Sequence, residues 1–426
     1  MFFKNIKILD EFFKIQEDMS VLIKGGRIVY IGREVPENTE EVYEGKNKLL
    51  MPGFVNSHAH TPMTLLRGYS ENQKLQDWLV NSVFPFESKM NEQDVFNGMM
   101  LGIAEMLRFG IVSTTDMYFK CEEMCRAALV TKTKFNISNG MTCFDGSRLA
   151  DNKSYKDTEN MLREYHNAND GAIIVDASIH GEYTSNPDIV REMVEYALKN
   201  GLNMHVHLSE TELEHRESIE RRGKTPARYF SDLGVFDVNT TAAHCVWVSD
   251  EDIDVLAEKN VTVSTNAMSN LKLASGVCRV PYMMKKGVNV SIGTDGVASN
   301  NSLNFLEEIK LFAVLHKGVN YNPEIITPEE AIRAATLNGF QAQGRKDSGL
   351  VKEGYKADLI VIDMDKPNYY PAHNILNNIV YSSAGSDVCL TMADGNILYK
   401  DGEYYTLDIE KVKFEAVKSV EKILNK

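Results

Sequence analysis

Met51-Pro52-Gly53-Phe54-Val55-Asn56-Ser57-His58-Ala59-His60 runs from an apolar, strand-like segment straight into two histidines two residues apart. Side chains two apart on a strand leave it on the same face, so both imidazoles can converge on one cation. A His-x-His pair by itself is weak evidence of ligation, and a lone histidine is more often structural. Its meaning depends on what the rest of the chain brings to the same end of the same sheet.

Outward from this stretch, short apolar runs alternate with longer amphipathic ones as far as about residue 320. Candidate strands are 53–59, 111–117, 135–143, 171–180, 202–208, 239–245, 261–265 and 288–294, and helical patterns between them include 93–109, 187–200, 211–232 and 302–317. Eight strand–helix alternations predict an α/β fold, a parallel sheet closed as a (β/α)8 barrel. A doubly wound open sheet is the rival that periodicity alone leaves standing. The polar residues decide for the barrel: they fall at the C-terminal ends of the predicted strands, where barrels assemble active sites.

The two ends of the chain have another texture. Ser20–Lys24 and Arg27–Ile31 flank Gly25-Gly26, a two-residue hairpin signal, and Asp394-Gly395 and Asp401-Gly402 mark further tight turns near the other end. Neither end has enough strands to stand alone, so the two should join in one small β-sandwich. The expected division is 1–52 for the first part of the sandwich, 53–345 for the barrel, and 346–426 for the return to the sandwich plus a C-terminal helix. Thr327-Pro328-Glu329-Glu330 reads as a capping box opening a helix.

Composition narrows the function classes. The 426 residues are 43% hydrophobic, enough for a large core without staples. Lys and Arg number 46 against 60 acids, a formal charge of −14, and no basic run offsets it. Such a surface repels phosphate backbones, which argues against nucleic acid and anionic membranes as partners. Charges arrive too early at the N-terminus for a secretory segment, and no stretch has the length of a membrane span. The six cysteines are scattered, as reduced structural thiols are. These features place the expected protein in the cytoplasm, acting on a small molecule, with a homo-oligomer open.

The chemistry-bearing residues recur at strand ends. His205-Val206-His207-Leu208-Ser209-Glu210 ends the fifth predicted strand. His207 reads as a ligand, and His205, one layer deeper, as a core or supporting histidine. Glu210 could hang over the mouth, or be an ordinary first-turn glutamate. His244 ends the sixth strand, and Asp295, followed by Gly296, ends the eighth. A carboxylate there is costly to bury unless paired or metal-bound. His58, His60, His207, His244 and Asp295 thus put five metal-type side chains at one end of one barrel.

With these residues in place, the chain resembles the amidohydrolase superfamily, most closely its methylthioadenosine/S-adenosylhomocysteine deaminase branch. Further support comes from Leu65-Leu66-Arg67-Gly68, Ala243-His244-Cys245-Val246, Ser269-Asn270-Leu271-Lys272-Leu273-Ala274-Ser275-Gly276, Gly293-Thr294-Asp295-Gly296 and Ala357-Asp358-Leu359-Ile360-Val361. The resemblance implies one divalent ion, zinc foremost with iron or manganese compatible, held by His58, His60, His207 and Asp295. It further implies that Asp295 takes the proton of the attacking water and Glu210 protonates the ring nitrogen. His244 then orients the nucleophile and steadies the tetrahedral intermediate before ammonia leaves.

By the same resemblance Trp78 walls the pocket, Glu87 accepts from ribose hydroxyls, His180 contacts the sugar and Arg148 reaches the distal end of the substrate. The branch often carries a second arginine on the third strand. This chain has none between Arg126 and Arg148, and Asn136 or a neighbour stands in its place. That weakens the case for S-adenosylhomocysteine relative to 5′-methylthioadenosine, adenosine or 5′-deoxyadenosine.

Three rival readings stand beside this one. A deaminase or chlorohydrolase of guanine, a pterin or an s-triazine would use the same chemistry, but Thr61-Pro62-Met63 lacks the glutamine usual in guanine deaminases. A non-catalytic scaffold has no need of the ligands, Glu210 and His244 all together. A glycosidase built on Glu210 and Asp295 leaves the surrounding histidines without a role.

Overall fold

The computed structural model describes residues 1–34 and 41–425. Eight parallel strands ring a common axis: Phe54–Ala59, Ile111–Tyr118, Lys134–Asn139, a fourth in two pieces (Ile173–Val175 and Ala177–Ile179), Met204–Leu208, Thr240–His244, Thr262–Thr265 and Asn289–Ile292. The eighth meets the first, where Ala59 bridges Asp295 and the Asp295 N–H donates to the His58 carbonyl at 3.0 Å. The sheet is therefore closed, and the open-sheet rival falls. The first three strands are buried at every position, as expected of parallel strands filled from inside and covered by helices outside.

Most helices start and stop where the sequence says they should. Glu92–Arg108 opens on a reciprocal box in which the Asn91 side chain accepts from the Asp94 N–H and Asp94 accepts from the Asn91 N–H, both at 3.0 Å. Pro187–Asn200 and Phe305–Val319 are helical, and Thr327 caps Pro328–Ala335 with the expected box. The segment 211–232 is two helices, Glu212–Arg222 and Pro226–Asp232. Gly223, at φ +67°, ends the first, and Pro226 suits only the opening turn of a helix. The third strand ends at Asn139, short of the expected 143, and the chain then loops past the barrel mouth.

The chain ends meet in one nine-stranded sheet. Its order is Glu403–Tyr404, Asn396–Lys400, Val388–Ala393, Leu359–Asp363, Lys48–Pro52, Phe2–Leu9, Ile15–Lys24 and Arg27–Gly32, with Val42–Glu44 also against Phe2–Leu9. The seam between the two ends is antiparallel, Val361 opposite Leu50 and Leu359 opposite Pro52. Phe3, Val21, Ile23 and Ile28 from one wing share a core with Leu390 and Met392 from the other. All three tight turns have both central residues at positive φ, as hairpin turns require: Gly25 and Gly26, Asp394 and Gly395, Asp401 and Gly402. Only Gly53 separates the sheet from the first barrel strand, and a Cβ there would sit 2.4 Å from Val112 Cγ1. No helix among the described residues is long and apolar enough to cross a membrane.

Candidate active site

The strand ends deliver the histidines to one point. The Nε2 atoms of His60 and His207 are 3.3 Å apart, and Asp295 Oδ1 lies 3.5 Å from His58 Nε2 and 3.3 Å from His60 Nε2. Donors bonded tetrahedrally to one zinc at 2.0–2.1 Å are about 3.3 Å from each other. His58 Nε2 is buried with no hydrogen-bond partner, and a buried orphan of that kind is what a ligand awaiting a cation looks like. The donor set fits a divalent ion. His244 comes within the same reach, grouped with His58 and His207.

Each ring is locked from behind. His60 Nδ1 donates to the Met117 carbonyl and His207 Nδ1 to the His180 carbonyl, the latter at 2.8 Å. His58 Nδ1 pairs with His205 Nε2 at 2.9 Å. All three thereby turn Nε2 inward, and the carbonyl partners put the proton of His60 and His207 on Nδ1, the tautomer a metal needs. Burial, together with the neighbouring imidazoles, holds His207 and His205 well below the usual histidine range and brings His180 down to about 4. Burial likewise brings His58 down to about 3, against the pull of Asp295. Neutral imidazoles result, which are the ligating form.

Glu210, Asp295 and His244 differ in charge. Burial raises Glu210, and the Asp295 charge adds to the rise, so its proton is retained more readily than in water. Burial also opposes ionised Asp295, but the imidazoles around it, with His58 Nε2 3.5 Å from Oδ1, outweigh that and hold it well below the carboxylate range. His244 is raised despite burial, because Glu210 and Asp295 face it. Glu210 Oε2 stands 3.9 Å from His244 Nε2.

Above this floor opens a cavity of about 500 Å³ lined by His60, His180, His207, Glu210, His244 and Asp295 together with Trp78 and Glu87. Trp78 is both wall and core: it is buried, and its indole N–H donates to the Ser70 carbonyl at 3.1 Å. Glu87 is raised to about 7 by burial, partly offset by a 2.6 Å hydrogen bond from Tyr118 Oη. The remaining wall is apolar, with Val80, Phe84, Phe119 and Phe144 prominent.

The structure does not bring Arg148 to this cavity. Its guanidinium pairs with Glu192 and its side chain is 73% exposed. Asn136 is not at the mouth either. It is buried at the other end of its strand, where its amide donates to Asp176 at 3.0 Å and its oxygen accepts from Arg345 at 3.2 Å. The third strand reaches the cavity through Gly140 and Thr142 instead. Sequence reasoning missed Tyr118 and the apolar wall, whose residues carry no signal that separates wall from core.

Fold and site define a class: a (β/α)8 barrel with a histidine–carboxylate centre at the C-terminal ends of its strands. The sequence pattern of the amidohydrolase family matches residues 49–398. The chain belongs to that family. It is 43% identical to a 5-methylthioadenosine/S-adenosylhomocysteine deaminase of Dictyoglomus thermophilum, over 92% of this chain and 91% of the relative. It is 41% identical to a 5'-deoxyadenosine deaminase of Methanocaldococcus jannaschii, over 95% of this chain and 96% of the relative. The crystal structure of an adenosine deaminase from Xanthomonas campestris with bound zinc matches with a TM-score of 0.94, covering 100% of this chain and 98% of that one at 27% identity.

Proposed function

We propose that the protein is a metal-dependent hydrolytic deaminase that removes the 6-amino group of adenine nucleosides as ammonia, 5′-methylthioadenosine, 5′-deoxyadenosine and adenosine foremost. The observation that carries this reading is a donor cage of metal spacing at the floor of a nucleoside-sized apolar cavity, with a protonatable Glu210 beside it. The barrel, 53–345, is the catalytic unit, and the segments 1–52 and 346–426 support it.

His58, His60 and His207 through Nε2, and Asp295 through Oδ1, hold one divalent ion, for which zinc suits the donor set and iron or manganese are compatible. When bound, such an ion supplies the Lewis acidity that brings the pKa of water towards ~7. Asp295, kept ionised by the imidazoles, accepts a proton as the water oxygen bonds to C6. Glu210, kept protonated more readily by burial, gives its proton to the neighbouring ring nitrogen. His244 steadies the negative charge that grows on oxygen. The C6–N bond then breaks as the amine takes the proton held by Asp295 and leaves as ammonia, and the proton of the new C6 hydroxyl returns to Glu210, leaving a 6-oxo product. Trp78 confines the base, while Glu87 and His180 receive the ribose hydroxyls.

Apolar Val80, Phe84 and Phe144 at the cavity wall favour a hydrogen or methylthio group at the 5′ carbon. Arg148 meets a carboxylate-bearing tail, as in S-adenosylhomocysteine, only by leaving Glu192. An ammonia-release screen over these nucleosides, guanine and simple triazines tests the reading. Turnover on 5′-substituted adenosines with Glu210→Gln slower by roughly 10²–10⁴-fold is expected; full activity in that variant, or turnover confined to guanine or triazines, refutes it.

A further inference from the structure

Ser269-Asn270-Leu271-Lys272 closes the helix Ala267–Lys272, which follows the seventh barrel strand. Successive helical residues point about 100° apart, so neighbours on one turn can reach different strands. Ser269 and Asn270, both buried, do so. Ser269 Oγ donates to Asp295 Oδ2 at 2.5 Å, and Ser299 Oγ lies 3.1 Å from the same oxygen. The other oxygen, Oδ1, is the one that faces His58 and His60. The two oxygens of Asp295 are thus divided between hydroxyls and the donor cage.

Asn270 treats His244 similarly. Its Oδ1 lies 2.8 Å from His244 Nδ1, while its Nδ2 is buried without a partner. A carbonyl oxygen only accepts, so this contact puts a proton on Nδ1 and leaves Nε2 to face Glu210. Asn266 Nδ2 sits 3.2 Å from the same Nδ1, but an amide nitrogen only donates, so the acceptor for that proton is Asn270.

We propose that Ser269 and Asn270 are positioning residues that act through their neighbours. Ser269 restricts Asp295 to a single oxygen for the ion, and Asn270 holds a proton on Nδ1 of His244. Only the kinetic consequence rests on the deaminase reading.

The test uses the zinc-loaded enzyme with ¹⁵N-ring-labelled histidine. The His244 Nδ1 proton should be present in wild type and in Asn270→Asp, and lost or exchanged for Nε2 in Asn270→Leu; Asn270→Ala gives the same readout if the leucine variant does not fold. By chelator competition, Ser269→Ala should bind zinc about 10–100-fold more weakly, the usual effect of losing a group that orients a ligand. Asn270→Leu should lower kcat roughly 10²–10⁴-fold with KM nearly unchanged, as loss of the partner that holds such a proton does, and Asn270→Asp should restore most of the rate. An Nδ1 proton that persists in Asn270→Leu and Asn270→Ala, or wild-type zinc affinity in Ser269→Ala, overturns the proposal. The proton and metal readouts need no substrate, so inactivity of wild type on every nucleoside would sink the deaminase reading and leave this inference standing.

Discussion

Glu87 shows how one cavity residue can join binding to stability. Burial lifts its pKa from 4.5 to about 7, with the Tyr118 hydroxyl pulling the other way. A folded pKa above the unfolded one means the stability contribution is present below 4.5 and is lost as pH rises through about 7. The unfolding free energy of wild type relative to Glu87→Gln should therefore fall between pH 4.5 and about 7 and level off above. Urea melts across that range check the sign, and a flat difference would contradict the assigned burial. The same variant should raise KM for nucleosides about tenfold, the effect of weakening a hydrogen bond to a charged group, with a smaller change in kcat.

At the scale of elements, strand ends carried the legible part. His58, His60, His207, His244 and Asp295 were readable because alternation along a strand tells which side chains share a face, and the barrel rule tells which end matters. Where loops take over, that logic stops. The third strand ends four residues early, so Asn136 lies deep in the barrel and Gly140 takes the rim. Arg148 belongs to the loop beyond, where pairing with Glu192 has no periodic signature. Gly293, at the end of the eighth strand, marks how closely the strands meet: a Cβ would stand 2.4 Å from Asn266 Oδ1, 2.6 Å from Ser264 Oγ and 2.9 Å from His58 Cβ. Gly293→Ala should destabilise the fold by about 1–3 kcal/mol, as overpacking does. It should also weaken metal retention by shifting His58, which thermal melts and metal content would register together.

At the scale of the whole molecule, one buried cation ties the barrel to the terminal sheet. Lys134 opens the third barrel strand, and its fully buried ammonium donates to Asp358 at 2.6 Å and pairs with Asp394 at 2.8 Å. Asp358 also accepts from Ser348 Oγ and the Asp394 N–H. Removing the cation strands a buried carboxylate, so Lys134→Met should cost about 3–5 kcal/mol, read as a lower denaturant midpoint. A midpoint unchanged within error would show that the network contributes nothing. The link was not visible in sequence, because Lys134, Asp358 and Asp394 are brought together only when the two chain ends close on the barrel.

The central claim is that four side chains from three strand ends share one cation. Anomalous diffraction at the zinc edge, on crystals of the zinc-loaded protein, tests it most directly. A single strong peak is expected within about 2.0–2.2 Å of the Nε2 atoms of His58, His60 and His207 and of Asp295 Oδ1. No peak among these atoms, or a peak held by other residues, would contradict it.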